Sequence, residues 1–151
     1  MRWRFAHLIS QELFVEALQS HDAREAIGEL AGEAARSTGI PKGEVVEAVW
    51  RRERIMSTAL ECGVAVPHAR LPGLADPLIV IGISDSGVQF HARNDINCRI
   101  LILILTPPEN SDAQVTILSD IARLLRDTRS RKRLFDARGF RRFLKVAKHT
   151  L

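Results

Sequence analysis

The six residues from Ile100 to Leu105 alternate isoleucine and leucine with no polar interruption, and the run ends at Pro107-Pro108. A second continuous apolar run extends from Leu78 to Ile83. A strand with one wet face alternates apolar and polar residues, whereas a strand that is apolar at every position is buried on both faces. The two runs therefore predict a sheet that is covered by helices on each side.

Helical spacing precedes these runs. Between Asp22 and Thr38 apolar residues recur at intervals of three and four, and Gly39 suits the left-handed position that commonly follows a helix. Pro41 can open a second helix, because its missing N–H is not needed in the first turn. The predicted buried side of this second helix is Val45, Val46, Val49 and Trp50.

Helical spacing returns after the runs, from Ser111 through about Asp127. Two shorter helices are expected over Arg131 to Ala137 and Phe140 to Lys148. The predicted buried positions of the first of these three helices are Val115, Leu118, Ile121, Ala122 and Leu125.

Further strands are predicted in the centre of the chain. Gly63 to Val66 is short, β-branched and stopped by Pro67, and a turn at Asp85-Ser86-Gly87 predicts a partner strand over Val88 to His91 that makes the sheet mixed. The order helices, strands, helices indicates an α/β fold, a layered sandwich with a mixed parallel/antiparallel central sheet flanked by helices. We expect a single domain over residues 1–151.

Charge is unevenly distributed along the chain. The net charge is +4, yet residues 123–151 hold 11 Lys and Arg against Asp127 and Asp136, so the rest of the chain is acidic on balance. Such a basic end favours an acidic partner protein or an anionic lipid surface, and its alternative interpretation is a solvated helix face. No nucleic-acid partner is expected, because the stretch contains no recognisable binding motif.

Cysteine use and hydropathy indicate a cytoplasmic protein. Cys62 and Cys98 have no companions at the spacing of a disulfide framework or a zinc site. Residues 1–7 lack the apolar region of a secretory signal, and no apolar run approaches the ~20 residues that cross a bilayer. No metal or cofactor is predicted.

His68 differs from the other four histidines in its position. His68 directly follows Val66-Pro67, at the end of a predicted buried strand. Proline disfavours helical geometry at the residue before it, so the strand should stop there and we expect His68 to begin an exposed loop. A neutral imidazole nitrogen is a competent nucleophile toward phosphorus and also a metal ligand. We interpret the others as surface residues: His7, His21, His91 and His149.

The surroundings of His68 carry a family resemblance. Arg52-Glu53 is followed by Ser57-Thr58 and then by Gly63-Val64-Ala65-Val66-Pro67-His68. This pattern resembles the enzyme IIA domains of the fructose, mannitol and nitrogen-regulatory branch of the phosphoenolpyruvate-dependent sugar phosphotransferase system (PTS EIIA type 2). The resemblance implies an α/β sandwich and a phosphocarrier rather than a free-standing catalyst.

The resemblance also implies roles for individual residues. His68 would accept a phosphoryl group from a histidine-containing phosphocarrier protein and pass it to a IIB domain or use it as a signal. Arg52 would neutralise the phosphate, with Thr58 and the backbone near Gly63 as further donors. Gln114 occupies the position of the family's usual second histidine, and glutamine donates hydrogen bonds but cannot become cationic. Arg70 adds a cation nearby.

Two other functions are alternatives to this one. The first is a regulatory IIA-like domain that binds or is fused to a membrane transporter such as a cation/proton antiporter, at the inner face of the membrane, without turnover of phosphate. Gln114 and the basic end of the chain motivate it. The second is a hydrolase or metal enzyme, which is not expected because Asp76 and Glu61 lack the spacing of a triad or metal motif.

Overall fold

The computed structural model describes residues 3–91 and 94–150. In these ranges the helices are α1 (Phe5–Leu8), α2 (Ala23–Thr38), α3 (Lys42–Ile55), α4 (Ser111–Arg126), α5 (Thr128–Asp136) and α6 (Gly139–Thr150). The strands are β1 (Phe14–Val15), β2 (Val64–Ala65), β3 (His68–Arg70), β4 (Leu78–His91) and β5 (Asp95–Thr106). None of the described helices has both the length and the apolar character required to cross a membrane.

The strands form one mixed sheet. Its order is β1-β4-β5-β2, and β3 continues along the β2 side of β5. The long strands β4 and β5 are antiparallel, while β1 runs parallel to β4 and both β2 and β3 run parallel to β5. The predicted layered α/β sandwich with a mixed sheet is confirmed.

The alternating run in β5 separates two hydrophobic cores. Ile100, Ile102 and Ile104 pack on the side that carries α1, α4, α5 and α6. Leu101, Leu103 and Leu105 pack on the side that carries α2 and α3. All six side chains are at most 2% exposed, so the prediction of a sheet covered on both faces is confirmed. Burial of the apolar side chains in the two cores is the main favourable contribution to the fold.

The predicted turn at Asp85-Ser86-Gly87 is wrong. The segments on either side of it belong to the single strand β4, and the register shifts between Ile83 and Val88, where four residues of β4 lie opposite only Arg99. The Ser84 hydroxyl accepts a hydrogen bond from the Gly87 N–H (2.9 Å), which stabilises this irregularity locally. The sheet is mixed because β4 and β5 are antiparallel, not because the chain reverses at Ser86.

Helix predictions are confirmed with one correction. Asp22 caps α2 by accepting from the Glu25 N–H (3.0 Å), and Gly39 follows it with φ of 79°. In α4, however, Val115 and Ala122 lie on the exposed side, with Val115 64% exposed. The buried stripe of α4 instead runs through Ala113, Ile117, Ile121, Leu124 and Leu125.

Candidate functional site

His68 is the first residue of β3, on the edge of the sheet. Pro67 interrupts the strand, but its carbonyl still accepts a hydrogen bond from the Ile104 N–H (3.0 Å), so the chain stays attached to β5. His68 then pairs with Ile104 and is only 8% exposed. The expectation that His68 begins an exposed loop is therefore wrong, because proline removes a donor and leaves the acceptor in place.

One hydrogen bond determines the tautomer of His68. Its Nδ1 lies 2.9 Å from the Val66 carbonyl oxygen, and a carbonyl can only accept, so Nδ1 carries the proton. Burial lowers the pKa of His68 below its ordinary 6.5 and outweighs the opposing hydrogen bond to Val66, while the charges of Arg52 and Glu53 lower and raise it by smaller amounts. The imidazole is therefore neutral near pH 7, with an unprotonated Nε2.

His68 lines a cavity of about 370 Å³ between α3, β3 and the start of α4. Gln114 lines it from α4, and three arginines line it as well, Arg51, Arg52 and Arg70. No carboxylate is among the described residues that surround this space. The arrangement suits an anion, because three cations face it without a compensating acid.

Arg52 is held by the backbone rather than by its neighbour in sequence. Its Nη1 donates to the Met56 carbonyl oxygen (2.8 Å), and the described part of the chain shows no ion pair between Arg52 and Glu53. The guanidinium therefore keeps most of its donors available on the cavity side.

Thr58 and Gly63 lie outside the cavity. The Thr58 hydroxyl and N–H both donate to the buried Glu53 carboxylate, at 2.7 and 2.8 Å, so neither donor is left for a ligand. Gly63 is close to the Asn97 carbonyl oxygen, which a Cβ would meet at 3.3 Å, rather than to His68. The structure does not bring these two predicted residues to the site.

Gln114 approaches the cavity from the first turn of α4. The Asn110 side chain caps this helix by accepting from the Ala113 N–H, at a long 3.4 Å. The Thr106 hydroxyl donates to Gln114 Oε1 at 3.4 Å, and Nε2 has no partner among the described residues. Gln114 therefore presents amide donors to the cavity.

Sequence reasoning missed Arg51 and the burial of Glu53. Arg51 shares one face of α3 with Arg52, at three and four residues from Ala48 and Ile55, and all four line the cavity. Glu53 falls on the buried stripe of α3, four residues after Val49, and is only 6% exposed. Helical spacing continued from the predicted buried residues would have found Glu53, whereas Arg51 lies on a different face of α3.

The remaining histidines and acids form no second centre. His7, His21, His91 and His149 are exposed. Within residues 3–91 and 94–150 no group of three or more His, Cys, Asp or Glu is placed to hold a metal ion. The geometry therefore defines a helix-covered mixed sheet with one neutral, buried histidine in a cationic cavity at its edge.

Comparison with known proteins agrees with this description. Residues 7–149 match the family described as phosphoenolpyruvate-dependent sugar phosphotransferase system, EIIA 2. A nitrogen regulatory protein of Bradyrhizobium diazoefficiens is 32% identical over 127 residues, which cover 84% of this chain and 83% of that protein. The chain belongs to the EIIA type 2 family, so the resemblance seen between Arg52-Glu53 and Pro67-His68 is confirmed.

Solved structures share the fold at low sequence identity. The nitrogen regulatory protein IIA-Ntr of Neisseria meningitidis superposes with a TM-score of 0.87 at 19% identity, over 94% of this chain and 97% of that one. Enzyme IIA of mannitol from Escherichia coli, in complex with phosphorylated enzyme IIB of mannitol, superposes with a TM-score of 0.75 at 20% identity, over 93% and 97%.

Proposed function

We propose that this protein is a phosphocarrier that accepts a phosphoryl group on His68 Nε2 from a histidine-containing phosphocarrier protein. The phosphoryl group then passes to a IIB domain or serves as a regulatory signal. The observation that supports this most is the hydrogen bond from Nδ1–H to Val66, because it leaves Nε2 as the nucleophilic nitrogen of a neutral imidazole in a cationic cavity.

The reaction exchanges one phosphorus–nitrogen bond for another. The Nε2 lone pair of His68 attacks the phosphorus of the donor phosphohistidine, and the donor's phosphorus–nitrogen bond breaks with its electron pair returning to the donor ring. No proton has to leave Nε2, because the neutral tautomer already carries its proton on Nδ1. Arg51, Arg52 and Arg70 neutralise charge on the transferred oxygens, which is most of what phosphoryl transfer requires of a protein.

The rim of the cavity suits a protein partner. Ile55 lines the cavity and is 79% exposed, and Met56 and Val115, which follow Ile55 and Gln114 in sequence, are 70% and 64% exposed. Exposed apolar side chains grouped around a polar site commonly mark a protein interface. The mannitol enzyme IIA that shares this fold was solved with enzyme IIB, which makes a IIB domain a suitable acceptor for this chain.

A direct phosphorylation assay tests the proposal. With phosphoenolpyruvate, enzyme I and the histidine-containing phosphocarrier, the chain should gain one acid-labile phosphoryl group, measured by mass spectrometry. His68→Ala should abolish the gain, whereas His91→Ala, at an exposed histidine, should retain it. Absence of phosphoryl uptake from every carrier that is offered would contradict the proposal.

Gln114 and the basic C-terminal helices favour a second function. Glutamine cannot share a proton or become cationic as the usual histidine does, so this site is compatible with a regulatory domain that acts on a membrane transporter without phosphate turnover. Such a domain would be cytoplasmic and held at the inner membrane face by its partner. It is favoured if His68→Ala regulates the transporter normally and the wild-type chain takes up no phosphoryl group.

A further inference from the structure

Glu53 is a buried carboxylate beside the His68 cavity that does not line it. It extends the apolar stripe of Val45 and Val49 on α3 and is 6% exposed. A buried charge is unfavourable unless it is paired or fully hydrogen-bonded, so an acid at this position requires an explanation.

Both oxygens of Glu53 accept hydrogen bonds from a single residue. The Thr58 N–H donates to Oε2 at 2.8 Å, and the Thr58 hydroxyl donates to Oε1 at 2.7 Å. Hydrogen bonds to an ionised group are roughly twice as strong as neutral ones. This pair closes the chain between residues 53 and 58 into a short loop that has little freedom to move.

The closed loop holds Arg52. Met56 lies between Glu53 and Thr58 in the sequence, and its carbonyl accepts a hydrogen bond from Arg52 Nη1 at 2.8 Å. If Thr58 were released from Glu53, this carbonyl would no longer have a fixed position. The direction of the Arg52 guanidinium would then be lost as well.

The hydrogen-bonded pair of Glu53 and Thr58, called here the Glu53–Thr58 clamp, is also linked to His68. The Thr58 carbonyl accepts a hydrogen bond from the Val66 N–H (3.3 Å), and Ala59 forms a bridge with Ala65. The Val66 carbonyl in turn accepts from His68 Nδ1 (2.9 Å). Glu53 is therefore linked through Thr58 to the arginine on one side and to the histidine on the other.

We propose that Glu53 is a positioning residue, which through Thr58 sets the orientation of Arg52 and the tautomer of His68. This inference rests on the proposed function for its effect on phosphoryl transfer. The Glu53–Thr58 clamp orders two groups that the reaction needs together, although neither Glu53 nor Thr58 touches the transferred phosphate.

Variants can separate the clamp from simple packing. Glu53→Gln keeps the shape but offers one acceptor oxygen in place of two and turns a donor toward Thr58. Thr58→Val keeps the volume and removes the hydroxyl donor, while Thr58→Ser restores that donor. Glu47→Gln, at an exposed site on the same helix, is the matched control.

The first measurement is the rate of phosphoryl acceptance from the histidine-containing phosphocarrier. Glu53→Gln and Thr58→Val should each slow it on the order of 10-fold or more, because displacements of about 1 Å in a reacting site can cost ~100-fold. Thr58→Ser and Glu47→Gln should stay within about twofold of wild type, since they keep the hydrogen bonds of the clamp. If Glu53→Gln does not fold, the comparison of Thr58→Val with Thr58→Ser decides.

The second measurement does not depend on phosphate. In ¹⁵N NMR spectra Glu53→Gln and Thr58→Val should shift and broaden the Arg52 guanidinium signals and weaken the Nδ1–H tautomer signature of His68. A wild-type chain that accepts no phosphoryl group would contradict the proposed function, and the NMR comparison would still test the clamp. Unchanged Arg52 and His68 signals in both variants, or rates within twofold of wild type, would overturn this inference.

Discussion

At the scale of the residue, His68 combines burial with one backbone hydrogen bond. Burial lowers its pKa and keeps the ring neutral, and the Val66 carbonyl selects which nitrogen is free. Gln114 alters the other side of the site, where it supplies neutral donors in place of a second titratable ring. His68 is therefore kept neutral by burial, without a second histidine to share its proton.

The lowered pKa of His68 predicts an acid-sensitive contribution to stability. The unfolded chain binds a proton near pH 6.5, whereas folded His68 binds it only at lower pH, so this contribution is fully present above about pH 6.5. It is lost as the pH falls through the lowered folded-state pKa. Urea unfolding from pH 7.5 downward should show the free energy of unfolding of wild type falling relative to His68→Gln below about pH 6.5. A difference that is independent of pH would contradict this.

At the scale of the element, an ion pair between Arg4 and the buried Asp120 attaches α1 to α4. Asp120 is 1% exposed and accepts from Arg4 Nε (2.8 Å), Arg4 Nη2 (2.6 Å) and the Phe5 N–H (3.0 Å). Burial by itself raises the pKa of Asp120, but these hydrogen bonds and the charges of Arg4 and Arg123 outweigh it and hold the pKa below its ordinary value. The pair fixes the first turn of the chain against α4.

Removal of Arg4 should therefore destabilise the fold. Arg4→Ala leaves the buried Asp120 carboxylate without its principal partner, and an uncompensated buried charge is strongly unfavourable, so the free energy of unfolding should fall clearly. Arg123→Ala is the matched control, because Arg123 is half exposed and lies 3.8 Å from the same carboxylate, so its loss should cost under about 1 kcal/mol. Urea unfolding at pH 7 measures the free energy of unfolding of both variants. Equal decreases for Arg4→Ala and Arg123→Ala would contradict a special role for the Arg4–Asp120 pair.

At the scale of the whole molecule, the sheet separates two cationic surfaces. α3 with Arg51 and Arg52 packs on the leucine face of β5, and the basic helix α6 packs on the isoleucine face. In the described part of the chain Arg141, Lys145 and Lys148 are exposed, have no ion pair and follow one face of α6. The cationic site and the cationic C-terminal helix are therefore distinct surfaces.

This separation predicts that charge on α6 has little influence on His68. We expect the triple variant Arg141→Glu/Lys145→Glu/Lys148→Glu to accept the phosphoryl group at a rate within about twofold of wild type at 0.15 M salt. At this ionic strength the screening length is about 8 Å. Association with an acidic partner should weaken strongly in the same variant, as measured by salt-dependent binding. A large fall in the phosphorylation rate would place α6 in the carrier's docking surface instead.

Local pattern was sufficient for much of this protein. The Ile100 to Leu105 run and the spacing of α2 and α3 predicted the doubly covered sheet, because burial acts within a few residues. The pattern from Arg52-Glu53 to Pro67-His68 indicated the candidate site histidine, but proline geometry gave the wrong expectation that it begins an exposed loop. Tertiary structure decided which groups meet. Asp120 contacts Arg4 across 116 positions, β4 continues past Asp85 because β5 pairs with it on both sides of the irregularity, and Gln114 and Arg51 reach His68 from opposite faces of the sheet. Such contacts depend on how layers pack, which no local periodicity encodes.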